Sequence, residues 1–264
     1  MTRRPQKIAC ITEESVEFLY DIGREDLICG VSSFVERPVE AKKLPTLSAF
    51  THANIKKILN VRPDLIIGFS DIQKDIARDL IGAGLNVFIS NHRSLDETLD
   101  YLRMLARIVG EEKRGEDVIK KYESSLITHK GHGRKRKRRP RVYLEEWDSP
   151  LIRGIEWFSE CVEVCGGIDV FKSRGPGALA KERFVAPEDI VEANPDIILA
   201  SWCGKPVDMN SFSGREGWEN ISAVKNNCIL ELPSAIILQP GPALFKDALP
   251  LISDYFDQWE ERHK

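Results

Sequence analysis

Short apolar runs alternate along the chain with segments whose apolar residues recur at helical spacing. This alternation predicts an α/β fold in which helices pack on sheets. The runs have the length of buried strands, and seven strands are predicted: residues 7–11, 27–31, 64–69, 86–90, 141–146, 196–201 and 228–232. No run approaches the roughly 18–20 apolar residues that span a bilayer, so the sequence predicts no membrane span.

Three longer segments have helical periodicity. Residues 12–22 begin with Thr12 as the predicted N-cap and end at Gly23. Residues 94–109 and 111–127 follow one another in mid-chain without any strand signal between them. A long helical connection between two α/β lobes is the simplest account of this strand-free stretch.

An internal repeat supports two lobes. Residues 57–68 (KILNVRPDLIIG) recur as residues 189–200 (DIVEANPDIILA), each a short amphipathic helix, a Pro-Asp turn and a buried strand. The predicted organisation is a first lobe over 1–109, a bridging helix over 110–130, a basic linker over 131–140 and a second lobe over 141–264. Clefts between such lobes are preferred places for ligands.

Composition narrows the class of protein. Of 264 residues, 42% are hydrophobic and 30% are charged, and 38 Lys+Arg against 41 Asp+Glu give a net charge of −3. The hydrophobic and charged fractions exclude a chain that is disordered throughout. The small net charge excludes a positive electrostatic potential over the whole surface that would attract nucleic acid. The basic run at 134–139 is interpreted as a solvated linker, with a nucleic-acid arm or an anionic-surface patch as alternatives. Six cysteines without paired zinc spacing predict free thiols, no metal site and no intrinsic cofactor.

The beginning of the chain has no signal-peptide pattern, because the apolar residues 8–11 are too few and acids follow directly. As written, the chain is expected in the cytoplasm; a trimmed mature form of an exported protein would look the same. The phosphate-loop, Gly-x-Ser-x-Gly and His-Glu-x-x-His motifs are all missing from the sequence, so no catalytic residue is assigned.

Six short motifs carry a resemblance to a known family. They are residues 31–38 (VSSFVERP), 40–45 (EAKKLP), 54–67, 163–167 (EVCGG), 187–190 (PEDI) and 239–243 (QPGPA). In this order and spacing, the chain resembles the cobalamin-binding branch of the ABC-transporter substrate-binding proteins over nearly its whole length. The resemblance implies two Rossmann-like lobes bridged by a long backbone helix, the architecture of class III periplasmic binding proteins. It also implies a bulky metal chelate as ligand, such as cobalamin, haem or a ferric siderophore, held without a covalent bond.

A flat macrocycle requires aromatic walls and a few orienting polar groups. By the resemblance, Phe34, Phe50 and Phe69 occupy aromatic pocket positions of the first lobe. Trp147 and Trp202 follow second-lobe strands and are expected to supply the opposite wall. The alternative is that each aromatic packs in its own core.

Acidic pairs mark a departure from the family. Glu13 and Glu14 follow the first strand of one lobe, and Glu145 and Glu146 end the first strand of the other. If these side chains face the ligand, their oxygens could bind a hard cation or the metal of a metal-dependent enzyme. The alternative for Glu13 and Glu14 is that their charges complement the dipole of the helix that follows. His52 is a candidate axial ligand of cobalt or iron, and a surface residue otherwise.

A second departure concerns the partner. The resemblance implies one surface glutamate per lobe that engages arginines of a membrane permease. Glu188 keeps this position in the second lobe, whereas the repeat places Lys56 at the equivalent position of the first. Because a lysine repels a basic socket, docking to an ABC permease is doubtful, and a transporter-independent binding protein is expected.

Overall fold

A computed structural model, which describes residues 4–175 and 177–263, divides the chain into two compact units. The first unit comprises residues 4–92, 96–122 and 239–242, and the second comprises 93–95, 123–175, 177–238 and 243–263. The predicted lobe ranges 1–109 and 141–264 also include residues 1–3, 176 and 264, which lie outside the described residues.

The first unit is built on a parallel sheet in the order β3-β2-β1-β4-β5. Its strands are β1 (Ile8–Cys10), β2 (Ile28–Ser32), β3 (Thr46–Ser48), β4 (Leu65–Phe69) and β5 (Val87–Ser90). The central strand β1 is fully buried and pairs with β2 on one side and β4 on the other. Parallel strands covered on both faces are continuously apolar rather than alternating, which is why the apolar runs predicted them.

Helices cover this sheet. They are α1 (Glu14–Asp21), α2 (Ile55–Val61), α3 (Lys74–Gly82), α4 (Leu95–Val109) and the first part of α5 (Glu112–Gly133). Gly115 of α5 lies so close to Ala106 of α4 that a Cβ on the glycine would collide with the alanine Cβ. A glycine inside this long helix therefore has a packing reason, since it permits the close approach of α4.

The second unit has a mixed sheet in the order β10-β9-β6-β7, with β8 also paired to β6. Its strands are β6 (Arg141–Asp148), β7 (Leu151–Arg153), β8 (Ile168–Asp169), β9 (Ile197–Ala200) and β10 (Ile229–Glu231). Only β7 runs antiparallel to its neighbour. The helices of this unit are the remainder of α5, α6 (Glu156–Val164), α7 (Pro187–Ala193), α8 (Ser222–Lys225), α9 (Ser234–Ile237) and α10 (Leu249–Arg262).

The internal repeat forms equivalent structure in both units. The helices α2 and α7 each end at a left-handed residue, Arg62 (φ 50°) or Asn194 (φ 39°), and a Pro-Asp turn leads into β4 or β9. The Asp64 carboxylate accepts the backbone N–H of Lys7 at 3.1 Å, and Asp196 accepts that of Arg141 at 2.9 Å. Each aspartate thus secures the chain at the start of the neighbouring central strand, β1 or β6.

The fold class is confirmed: two α/β units with a long helix between them along the chain. All seven predicted strands are present. The sequence missed the short strands β3, β7 and β8, and α5 extends to Gly133 rather than ending at residue 127. Thr12 as N-cap of α1 was wrong: Glu13 is the N-cap residue, and the Thr12 hydroxyl donates a hydrogen bond to the Glu14 carboxylate instead. Among residues 4–175 and 177–263, no helix has the length and apolarity needed to cross a bilayer.

Candidate functional site

Two tryptophans lie where neighbouring parallel strands of the second unit end. Trp147 is near the end of β6, and Trp202 follows β9, which pairs with β6 through Glu145 and Ala200. Because the strands are parallel, both rings are placed at the same edge of the sheet. Trp147 is half-buried, whereas Trp202 is only 3% exposed, and its indole N–H donates to Glu145 Oε1 at 3.1 Å.

Glu145 is the centre of a buried ion pair. Arg215 donates to its two carboxylate oxygens at 2.6 and 3.0 Å. The guanidinium also lies over the rings of Phe212 and Trp218, at 4.6 and 4.3 Å from their centroids. Burial raises the pKa of Glu145, and the hydrogen bonds and charge of Arg215 oppose that shift. The pair and its aromatic neighbours form one packed cluster beneath Trp202.

A second cation covers the two tryptophans. The ammonium of Lys205 lies 4.3 Å from the ring centroid of Trp147 and 4.5 Å from that of Trp202. It donates to both oxygens of Asp148, at 2.8 and 2.9 Å. Each cation at this strand edge is therefore paired with its own carboxylate as well as with aromatic faces. We call Trp147, Trp202, Lys205 and Asp148 the tryptophan platform.

Glu146 also has a dedicated partner. Arg183 donates to its Oε2 at 2.6 Å, and the backbone N–H of Ile155 donates to its Oε1 at 2.5 Å. Burial raises the pKa of Glu146, and the charge of Arg183 acts in the opposite direction. The acidic pair of the second unit is thus used in two separate ion pairs, and its proposed role as ligand-facing oxygens stays a prediction.

The acidic pair of the first unit is placed differently. Glu13 and Glu14 are both buried at the end of β1, and no ion pair joins either to a cation within the described part of the chain. Burial raises the pKa of Glu14 to about 8, and it also raises the pKa of Glu13, against a hydrogen bond from Ser32. The Tyr101 hydroxyl lies 3.5 Å from Glu14 Oε1. A carboxyl that holds its proton at neutral pH is a poor ligand for a cation.

The three predicted aromatics of the first unit have three different environments. Phe34 is 39% exposed, Phe50 is half-buried, and Phe69 is buried with its ring edge-on to His92 at 5.0 Å. Gln73 connects two of these segments, because its amide accepts from the backbone N–H of Phe69 and donates to the carbonyl of Phe50. Phe34 and Phe50 therefore retain exposed surface, whereas the Phe69 ring is packed inside the first unit, and ligand contact by the three aromatics stays a prediction.

Two grooves contain the other candidates. A groove of ≈ 520 Å³ in the first unit brings His52 and Lys56 together with Ser48 and Asn54. His52 is exposed, and its Nδ1 lies 2.9 Å from the Thr51 hydroxyl. A groove of ≈ 840 Å³ in the second unit is lined by Glu188 and includes Asp148 and Arg215. The two residues proposed for docking, Lys56 and Glu188, are both exposed.

No group of three or more His, Cys, Asp or Glu side chains suited to a metal ion occurs within the described ranges. Sequence reasoning missed Lys205 and Arg215, the two cations that lie over aromatic rings at this edge of the sheet. Both lie in loops after β9, and no local motif marks them, because their partners Asp148 and Glu145 are 57 and 70 residues away along the chain.

Comparisons of the sequence and of the structure with known proteins all find binding proteins. A family model described as "Periplasmic binding protein" matches residues 8–236. An uncharacterized ABC transporter substrate-binding lipoprotein, YvrC of Bacillus subtilis, is 24% identical over 98% of this chain and 83% of its own length. A vitamin B12-binding protein of Vibrio vulnificus is 24% identical over 97% and 92%. The periplasmic heme-binding protein RhuT of Roseiflexus superposes with a TM-score of 0.84 at 20% identity, covering 96% of this chain and 99% of that one.

Proposed function

We propose that this chain, which belongs to the periplasmic binding protein family, binds a bulky metal chelate, and that the chelate is cobalamin or a related corrinoid. The family is one of substrate-binding transport proteins. Relatives that match nearly the whole chain include a vitamin B12-binding protein, and a structural neighbour is a heme-binding protein. Both ligands are flat metal macrocycles, which supports the chelate class.

The observation that carries the corrinoid assignment is the charge balance of the tryptophan platform. Lys205 is neutralised by Asp148, and the adjacent Arg215 is neutralised by Glu145. The platform thus offers the half-buried ring of Trp147 and hydrogen-bonding groups without an unpaired cation. A corrin, whose rim carries amides, matches such a surface, whereas the two carboxylates of haem require unpaired cations to offset their desolvation.

The alternative ligands are haem and ferric siderophores, which the same family of proteins binds. Both are included in the dialysis experiment that tests the ligand. The enzyme or small-cation alternative has less support, since Glu145 and Glu146 are committed to arginines and burial raises the pKa of Glu13 and Glu14.

We further propose that the protein works outside the cytoplasm as the binding component of an importer. Of the two locations that the sequence left open, the lipoprotein relative supports the extracytoplasmic one. Fractionation of cells that express the protein from its complete gene tests this location. Recovery with the cytosol contradicts it.

The ligand is tested by equilibrium dialysis against cyanocobalamin, haem and a ferric hydroxamate, each read by its own absorption. We expect cyanocobalamin to bind with a Kd below ~10 μM, which corresponds to about −7 kcal/mol. Trp147→Ala removes one face of the platform and is expected to weaken binding about tenfold or more. Phe184→Ala removes another exposed aromatic of the second unit and serves as the matched control, with no expected change.

Two outcomes contradict the proposal at different levels. Tight binding of haem or the hydroxamate without binding of cyanocobalamin overturns the corrinoid assignment and leaves the chelate class intact. Failure of all three chelates to bind below ~10 μM overturns the chelate class itself.

A further inference from the structure

The basic run of residues 134–139 is divided by the structure into two kinds of side chain. Arg136 is buried, with its side chain 1% exposed, and donates to Asp257 at 2.6 Å and to the carbonyl of Cys165 at 2.7 Å. Arg139 donates to the carbonyls of Gly166 and Gly167, at 3.2 and 2.9 Å. These two arginines attach the segment to the second unit.

The remaining cations have no such role. Arg134, Lys135, Lys137 and Arg138 are exposed, and none has a salt bridge or side-chain hydrogen bond to another described residue. The backbone N–H groups of Lys137 and Arg138 both donate to Glu260, which fixes the chain while their side chains stay in solvent. Four unpaired cations therefore lie within five residues on an ordered segment.

An exposed apolar side chain adjoins them. Ile127 of α5 is 71% exposed, more than any other large hydrophobic residue that the structure describes as exposed. Lys130 and Arg134 follow it by three and seven residues, and the Arg134 N–H still bonds to the Lys130 carbonyl at 3.1 Å, as in a continuing helix. At this spacing, Ile127, Lys130 and Arg134 share one helix face.

We propose that Ile127 and the unpaired cations at the end of α5 form a contact site for an anionic lipid bilayer, which goes beyond the proposed chelate binding. We call Ile127, Lys130, Arg134, Lys135, Lys137 and Arg138 the basic patch. Polybasic segments are attracted to anionic headgroups, and an adjacent apolar side chain enters the boundary between headgroups and acyl chains.

Two observations favour a bilayer over a nucleic acid. A nucleic acid offers no apolar layer to receive Ile127. The sequence also has no Phe, Trp or Tyr between Tyr122 and Tyr143, so the patch lacks rings on which single-stranded bases would stack.

The test is flotation of the full chain with vesicles of phosphatidylcholine containing 30 mol% phosphatidylglycerol, and with pure phosphatidylcholine vesicles. We expect binding to the anionic vesicles only, with a marked loss in 0.5 M NaCl because salt screens the attraction. Substitution of Arg134, Lys135, Lys137 and Arg138 by Gln is expected to weaken binding on the order of 100-fold or more. Ile127→Ser is expected to weaken it about tenfold.

The matched control removes the same charge elsewhere, by substituting the exposed Lys57, Lys74, Lys120 and Lys225 with Gln. This control is expected to retain most of the vesicle binding, and both fourfold variants to keep the circular-dichroism spectrum and cyanocobalamin affinity of the unmodified protein. Equal losses in the two fourfold variants overturn the proposal, as does an absence of binding to anionic vesicles. Binding to a 40-base-pair DNA duplex without binding to vesicles overturns it in favour of a nucleic-acid site.

Discussion

The buried glutamates of the two units differ in whether a cation accompanies them. Glu145 and Glu146 each accept from an arginine, whereas Glu13 and Glu14 have no cationic partner among the residues described. Without a partner, desolvation favours the neutral form, and burial raises the pKa of Glu14 to about 8. Burial thus raises the pKa of glutamates in both units, and a neighbouring arginine opposes the shift in the second unit.

This difference predicts a pH dependence of stability. The Glu14 pKa is about 8 in the folded chain and near 4.5 when solvated, so between these pH values the folded state binds an extra proton. The free energy of unfolding therefore falls as pH rises from about 4.5 to about 8, by up to roughly 1.4 kcal/mol per pH unit. Glu14→Gln is expected to remove this contribution and to become progressively more stable than the unmodified protein toward pH 8.

Urea denaturation at pH 5, 6, 7 and 8 measures the effect, with the exposed Glu188→Gln as the control. Part of the pH dependence is expected to persist in Glu14→Gln, since burial also raises the pKa of Glu13. The same slope in Glu14→Gln and in the unmodified protein would contradict the prediction.

At the scale of elements, Arg136 joins the segment after α5 to α10. Its guanidinium donates to Asp257, to the carbonyl of Ser253 at 2.9 Å and to the carbonyl of Cys165, and it lies 5.6 Å from the ring centroid of Phe256. One buried side chain therefore satisfies groups from two parts of the second unit that are distant along the chain.

We expect Arg136→Ala to lower the free energy of unfolding by about 3 kcal/mol, because carbonyls and a carboxylate lose their donor at once. Arg138→Ala removes the same side chain two residues on, where it has no described partner, and is expected to change stability by less than about 0.5 kcal/mol. Chemical denaturation of both variants under the same conditions decides the matter. Equal effects would mean that the run acts through its total charge rather than through Arg136.

At the scale of the whole molecule, the two repeats carry unlike charges at equivalent positions. Lys56 lies in the first turn of α2 and Glu188 in the first turn of α7, and both are exposed. A permease that presents arginines to both helices matches Glu188 and repels Lys56.

We therefore expect no stable complex between the unmodified protein and a permease with arginines at both positions, and formation of one by Lys56→Glu. The importer proposed for this protein is accordingly expected to present an acid opposite Lys56. Pull-down with the permease in reconstituted membranes measures this, with Lys57→Glu as the control for an acid at the adjacent exposed position. Tight binding of the unmodified protein would contradict the prediction, and so would equal gains from the two substitutions.

The sequence by itself determined seven strands in their order along the chain and, among the helices, α1, α2, α4, α5 and α7. Continuous apolar runs are typical of strands buried on both faces, so they located the central strands β1, β4, β6 and β9. The repeat indicated two similar units because its Pro-Asp turn is a local signal. The strands it missed, β3, β7 and β8, have two or three residues each and include polar or charged ones, so they do not stand out as apolar runs.

Only the tertiary structure decided which side chains meet. Trp147 and Trp202 were expected from their positions after strands, but their cover by Lys205 depends on a loop contact that no spacing encodes. The same holds for the basic run, in which neighbours of identical type divide into buried Arg136 and exposed Arg138. Pattern and propensity act over a few residues, whereas ion pairs and burial depend on groups brought together from distant parts of the chain, and these decide the chemistry of the site.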